Sequence, residues 1–98
     1  ELADSPVLWE QRIAIVSTLA LIRKGQFEDT MKLAGKLLTT RYDLMQKAVG
    51  WMLREVGKRD NGLLCRFLEE HKNVMPRTML RYAIERFSPE QRKDFLKR

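Results

Sequence analysis

Apolar residues recur every three or four positions along almost the whole chain, as in helices that bury one face. The pattern contains no convincing strand, no glycine-rich loop and no low-complexity tract. It therefore predicts an all-α protein of about six helices. The predicted helices span residues 5–24, 27–38, 43–60, 61–73, 76–87 and 88–97.

Several of these boundaries carry capping residues. Ser5, followed by a proline, begins the first helix and Gly25 ends it, while Asp43 is the predicted N-cap of the third helix. Asp60 or the residue after it begins the fourth helix. Ser88, with a glutamine three residues later, predicts a capping box for the last helix.

Short connections between these helices predict antiparallel pairs over residues 1–38, 43–73 and 76–97. Each pair has the size of the hairpins in helical-repeat arrays, although sequence identity between the pairs is weak. Three hairpins are about the minimum that is stable alone. We therefore interpret residues 1–98 as a single helical-repeat domain and as a piece of a longer solenoid.

Charge and cysteine content narrow the class of protein. With 19 Lys and Arg against 13 Asp and Glu, the net charge is +6, which favours a polyanionic partner. The single cysteine, Cys65, excludes an internal disulfide, which is consistent with a reducing, cytoplasmic location. Its apolar neighbours indicate a residue of the core. The first residues show no secretory leader, and no run approaches the ~20 apolar residues of a membrane-spanning helix.

No metal site and no cofactor is predicted. The only histidine, His71, lies near a predicted helix end beside Glu69 and Glu70. A histidine in that position interacts favourably with the helix dipole, and the further ligands that a metal site needs are missing from its surroundings in the sequence.

The third helix carries an anomalous face. At about 100° per residue, one narrow stripe contains Lys47, Trp51, Arg54 and Lys58. The opposite face contains Met45, Val49, Met52 and Val56, which suffice to dock the helix on a core. A tryptophan among cations is typical of nucleic-acid binding, and Gly50 beside it allows a backbone or a ligand to approach closely. The alternative is that Trp51 fills a gap between helices and the cations are solvated.

The first helix contains a second anomaly. At the same angular step Arg12 lies in line with Val16 and Leu19, while polar residues, Thr18 among them, occupy the other side. An arginine in an apolar sector must be paired or must reach a charged ligand. Two interpretations stay open: an ion pair with an acidic residue of another helix, or a ligand of phosphate at the concave surface of the array.

Three strings, WEQRIAI, QKAVGWMLRE and MPRTMLRYAIERF, occur in this order over most of the chain. In sequence and spacing they resemble the bacterial DNA alkylation repair glycosylases of the AlkD family, from Ser5 to about Phe87. KAVGWMLRE is the most specific part of this resemblance. The resemblance implies HEAT-like helical repeats whose concave, basic surface holds duplex DNA with a purine alkylated at N3 or N7. It also implies that the damaged base stays stacked during the reaction.

The resemblance further implies two residue roles. Arg12, in the Trp-x-x-Arg segment, contacts the DNA backbone around the lesion, and Trp51, in the Gly-Trp pair, lies against the sugar of the damaged nucleotide. The family's catalytic aspartate belongs to a tryptophan and aspartate motif on an earlier helix, upstream of the segment that corresponds to Glu1. The chain has no such motif, so the resemblance implies that it corresponds to the C-terminal part of such an enzyme and of its solenoid. We therefore assign that role neither to Glu10 nor to Asp43.

Two functional hypotheses follow. The first is the duplex-DNA-binding part of a DNA N-glycosylase for alkylated purines, with Arg12 and Trp51 as supporting catalytic residues at the lesion. Its predicted DNA-binding residues are Lys47, Arg54, Lys58, Arg77 and Arg81. The alternative is a non-catalytic helical-repeat scaffold that binds nucleic acid or an acidic protein, which the missing acid favours. A membrane partner is disfavoured, because the basic stripe has one aromatic residue and no broad apolar patch.

Overall fold

The computed structural model describes the backbone of residues 8–97 and the side chains of residues 13–97. Within this part of the chain every regular element is a helix, which confirms the all-α prediction. The helices are α1 (Leu8–Ser17), α2 (Leu19–Arg23), α3 (Glu28–Lys36), α4 (Asp43–Arg59), α5 (Asn61–His71), α6 (Arg77–Ala83) and α7 (Pro89–Lys97). None of them is long and apolar enough to cross a bilayer.

The first predicted helix is divided into α1 and α2 at Thr18. The Thr18 hydroxyl donates to the carbonyl of Ile15 at 2.7 Å, and the Thr18 N–H bonds the same carbonyl at 3.2 Å. Such back-bonding competes with the regular helical ladder and bends helices. The prediction that Thr18 lies on the polar side is wrong. Thr18 is only 4% exposed, which is tolerable because its hydroxyl is hydrogen-bonded.

Gly25 ends α2 as predicted. It has a φ of +80°, a conformation that glycine adopts without steric cost. The N–H groups of Gln26 and Gly25 bond the carbonyls of Leu21 and Ile22, each at 2.9 Å, which is the Schellman pattern. The predicted start of this helix at Ser5 lies outside the described residues.

The predicted caps of α5 and α7 are confirmed. Asp60 is the N-cap of α5, and its carboxylate accepts a hydrogen bond from the N–H of Leu63 at 3.1 Å. Before α7, the Ser88 hydroxyl accepts from the Gln91 N–H at 3.3 Å, and the Gln91 side chain accepts from the Ser88 N–H at 3.4 Å. These bonds satisfy helix N–H groups that have no partner within the helix.

Other predicted boundaries need correction. Tyr42, not Asp43, is the N-cap of α4, without a side-chain hydrogen bond; the Asp43 carboxylate instead lies 3.0 Å from Lys47 Nζ. α5 ends at His71, two residues before the predicted end. α6 ends at Ala83, four residues before the predicted end, and the chain continues in turns to Ser88.

α4 lies at the centre of the core and contacts α1, α2, α3, α5 and α6. Its predicted inward residues, Met45, Val49, Met52 and Val56, are all fully buried. Gly50 allows the close approach of α6, since a Cβ there would lie 2.5 Å from the Tyr82 Cβ and 2.6 Å from the Met79 carbonyl oxygen. The close neighbour predicted at Gly50 is therefore the backbone of α6. Both α4 and α6 carry predicted DNA-binding residues, and this contact holds them together.

Candidate nucleic-acid interface

Trp51 lies on α4 at the edge of the core. It is half-buried and packs against the core, whereas its neighbour Met52 is fully buried. The ring therefore contributes to packing and also keeps some surface open to solvent. Both interpretations of Trp51, as packing residue and as ligand-contacting residue, are compatible with this burial.

The cations predicted to flank Trp51 are each paired with a carboxylate. Lys47 Nζ lies 3.0 Å from Asp43, and Lys58 Nζ lies 3.0 Å from Glu55. In both pairs the two residues are three or four positions apart, which is the spacing at which side chains on one face of a helix meet. The α4 stripe is thus closer to neutral than its basic residues alone indicate, and a phosphate bound there has to displace or share these partners.

The Asp43 carboxylate perturbs the ionisation of Lys47. The hydrogen bond from its Nζ to Asp43, followed by the charge of that carboxylate, raises the pKa of Lys47 above its ordinary value of 10.5. The side chain of Tyr82 on α6 adds a smaller effect in the same direction. Lys47 is therefore fully charged at neutral pH.

Arg54 joins α4 to the turn after α6. Its Nη1 donates to the carboxylate of Glu85, and its Nε lies 3.9 Å from Glu55, too far for a hydrogen bond. The Nε group is buried and has no hydrogen-bond partner in the described part of the protein. Since the side chain is only 20% exposed, its ion pair has a structural role as well as any role toward a ligand.

The arginines predicted on α6 are in a different state. Arg77 and Arg81 are exposed, as their positions on the helix predicted. Neither forms an ion pair with any residue that the structure describes. Phosphates can therefore reach these two guanidinium groups without competing with a protein carboxylate.

Three elements enclose a cavity of about 450 Å³ beside the C-terminal half of the α4 stripe. The lining residues are Arg54, Gly57, Lys58, Asn61, Leu64, Ala83, Arg86 and Phe87. Three of them are cations and three are apolar, so the cavity offers positive charge next to apolar surface. That combination suits the phosphates and the flat or apolar parts of a nucleotide.

The Arg12 side chain lies outside the described residues, so its predicted position beside Trp51 stays a prediction. At the backbone level, Arg12 belongs to α1, and α1 packs against α4, which carries Trp51. Val16 and Leu19, from the apolar line that includes Arg12, are half-buried against the core.

Neither Cys65 nor His71 belongs to a site of reactive groups. Cys65 is half-buried against the core, and its sulfur accepts a hydrogen bond from Asn61 at 3.7 Å. The His71 ring, in the last turn of α5, lies 4.5 Å from the ring of Phe67. No group of metal-binding side chains is found among the residues that the structure describes.

Only two of the three carboxylates that pair with cations on this face have a signal in the sequence. Asp43 lies four residues before Lys47, and Glu55 three before Lys58, so helical spacing alone predicts both pairs. Glu85 could not be assigned to Arg54 in this way, because the two residues meet only through the packing of α6 on α4.

These features define a basic, all-helical protein whose central helix presents a half-buried tryptophan and paired cations beside a second, arginine-bearing helix. The sequence model of the DNA alkylation repair enzyme family matches residues 1–87. The chain belongs to this family, in agreement with the resemblance seen in its three sequence strings. Comparison with curated proteins and with solved structures gave no match.

Proposed function

We propose that the chain is the duplex-DNA-binding part of a DNA N-glycosylase that removes purines alkylated at N3 or N7. The observation that carries this proposal is Trp51, half-buried on α4 between Lys47 and Arg54. The ring packs against the core and is also partly open to solvent. The partly open ring leaves surface for a sugar, in a family that repairs alkylated DNA.

The chemistry of the substrate explains why few protein groups are needed. Alkylation at N3 or N7 gives the purine a positive charge, so the base leaves with the electrons of the N-glycosidic bond and becomes neutral. The positive charge passes to the sugar as an oxocarbenium-like ion, which water attacks at the anomeric carbon with loss of a proton. The protein has to stabilise this cation and hold the strand in place.

In this mechanism the aromatic face of Trp51 lies against the sugar and stabilises its positive charge by about 0.5–2 kcal/mol. Arg12 holds the backbone phosphate near the lesion, and the cations of α4 and α6 bind phosphates farther along the strand. A carboxylate is still required to stabilise the cation further and to orient water. The family resemblance places that acid in a tryptophan and aspartate motif, which does not occur in the 98-residue sequence.

Binding to duplex DNA tests the proposal. If about four of the five cations on α4 and α6 neutralise phosphates, they contribute about −3 to −4 to the log–log slope of affinity against salt. Lys47→Ala should reduce this slope by about one and leave the preference for alkylated over unmodified duplex unchanged. The measurement is fluorescence anisotropy with duplexes that do or do not contain 7-methylguanine.

Trp51→Ala should have the opposite profile in the same experiment. It should lower the preference for the alkylated duplex and leave the salt slope unchanged, and Trp51→Phe should retain most of the preference. Lys24→Ala, at an exposed position after α2, is the control for loss of one positive charge. An affinity independent of salt would contradict the proposal, and a preference insensitive to Trp51 would favour the non-catalytic scaffold.

A further inference from the structure

A shallow groove between α6 and α7 is lined mainly by positively charged residues. Its volume is about 460 Å³. It is lined by Arg77, Pro89, Arg92, Lys93, Leu96 and Lys97. Four of these six residues are cations, and none is a carboxylate.

The charges in this groove are not compensated by the protein. Within residues 13–97, none of its four cations forms an ion pair or a side-chain hydrogen bond. The carboxylates of α7, Glu90 and Asp94, are not among the residues that line the groove. The groove therefore differs from the α4 stripe, where Asp43, Glu55 and Glu85 balance the cations. Four unpaired positive charges around one groove attract a polyanion.

The groove is held in place by the packing of α7. The capping box at Ser88 begins the helix, and Phe95 is buried 5.6 Å from the ring of Phe87. The ammonium group of Lys72, at the end of α5, lies 5.6 Å from the Phe95 ring. Helix α7 thus presents its basic face in a defined position relative to Arg77 on α6.

We propose that this groove binds the sugar-phosphate backbone of duplex DNA, as a second contact surface provided by α7. The inference rests on the proposed function and extends it beyond residues 1–87, where the family match ends. The groove is open along its length, and the apolar surfaces of Pro89 and Leu96 lie among the cations. Successive phosphates with sugars between them fit such a surface, whereas a small anion needs donors on several sides.

The test uses a triple variant, Arg92→Ala with Lys93→Ala and Lys97→Ala, which spares every residue of the proposed lesion site. Its matched control is Arg23→Ala with Lys24→Ala and Arg66→Ala, at three exposed positions that form no ion pair within the described residues. Each variant loses three positive charges, from +6 to +3, so the two differ in where charge is removed.

Salt dependence of binding to unmodified duplex is the first readout. Three phosphate contacts from α7 add about −2 to −3 to the slope. The unchanged chain should therefore show a slope of about −5 to −7, the groove variant about −3 to −4, and the control variant the slope of the unchanged chain. The preference for alkylated duplex should stay the same in both variants.

Lysine acetylation with mass spectrometry is the second readout, and it needs no substitution. Duplex DNA should slow modification of Lys93 and Lys97 at least about fivefold and leave Lys24 unaffected. Equal slopes for the groove and control variants, or no protection of the two lysines, would overturn the inference. Equal protection by inorganic phosphate at matched ionic strength would show a small-anion site and would also overturn it.

The same data separate this inference from the proposed function. If Trp51→Ala and Lys47→Ala have their expected effects and the groove variant has none, the inference alone fails. If the groove variant alone changes the slope, the α7 contact stands and the lesion site does not. Affinity that is independent of salt in the unchanged chain would overturn both.

Discussion

At the scale of single residues, two adjacent positions of α4 decide how closely α6 approaches and how far an aromatic ring is exposed. A side chain at position 50 would have no room, because Tyr82 and the Met79 carbonyl occupy the space where its Cβ would lie. One residue later, Trp51 packs against the core and stays half-buried. The close approach of α6 and the partial exposure of the tryptophan are therefore adjacent consequences of one Gly-Trp pair.

Replacement of Gly50 by alanine should destabilise the protein. The added methyl group meets backbone and Cβ atoms of α6, so the helices have to separate, at a cost of about 1–3 kcal/mol. Gly35→Ala is the matched control, because that helical position has no atom within 4 Å of an added Cβ and should gain about 0.5–1 kcal/mol. Urea unfolding followed by circular dichroism measures both, and equal stability of the two variants would contradict the packing argument.

Replacement of Asp43 by asparagine should strengthen DNA binding. Lys47 remains charged at pH 7 and loses a competing carboxylate, so affinity should rise by up to about fivefold. Glu69→Gln, which removes the partner of Lys72 on α5, is the control for the change in net charge. A gain of equal size in that control would show that the Lys47 side chain has no special role.

The same substitution has a defined pH signature. Because Asp43 raises the pKa of Lys47, the ion pair contributes stability below the ordinary pKa of 10.5 and loses it as pH rises through the folded value. In Asp43→Asn, the Lys47 pKa should fall toward 10.5 when it is followed by NMR of the side chain. An unchanged pKa would mean that the carboxylate does not interact with Lys47 in solution.

At the scale of helices, the sequence predicted the elements that local signals define. Gly25, Asp60 and Ser88 were correct because their caps depend on hydrogen bonds within a few residues. The break at Thr18 was missed, since a threonine in a polar sector does not indicate by itself that its hydroxyl will bond the preceding turn. The early end of α6 was missed because apolar spacing continues into the turn that follows Ala83.

The sequence predicted the part of the candidate site that lies on one helix and did not predict the parts formed between helices. Helical periodicity brought Lys47, Trp51 and Arg54 onto one face of α4, and the family strings supplied a reason for that face. Periodicity could not supply the contact of Arg54 with Glu85. It also could not supply the groove between α6 and α7, because both depend on how separate helices pack.

At the scale of the whole molecule, α4 organises both the core and the proposed interface. It contacts α1, α2, α3, α5 and α6, so packing on several sides fixes the position of the helix that carries Trp51. Such rigidity suits a protein that has to hold a strand in one position while a bond breaks. The family resemblance assigns one further role to an aspartate, and the three strings that carry the resemblance contain no aspartate.

The 98-residue chain alone should therefore not measurably release 7-methylguanine or 3-methyladenine from methylated duplex DNA. A longer chain that includes the tryptophan and aspartate motif should release them. In that longer chain Trp51→Ala should slow release ten- to a hundredfold, equivalent to about 1.4–2.7 kcal/mol of transition-state stabilisation. Arg12→Ala should be at least as severe, because it also loses positioning of the DNA backbone.

Gly35→Ala is the control for substitution itself, because an added Cβ at that position has no atom within 4 Å. Base release by both chains is the measurement, and robust activity of the short chain would mean that one of its own acids, Asp43 or Glu10, performs the role of the missing carboxylate.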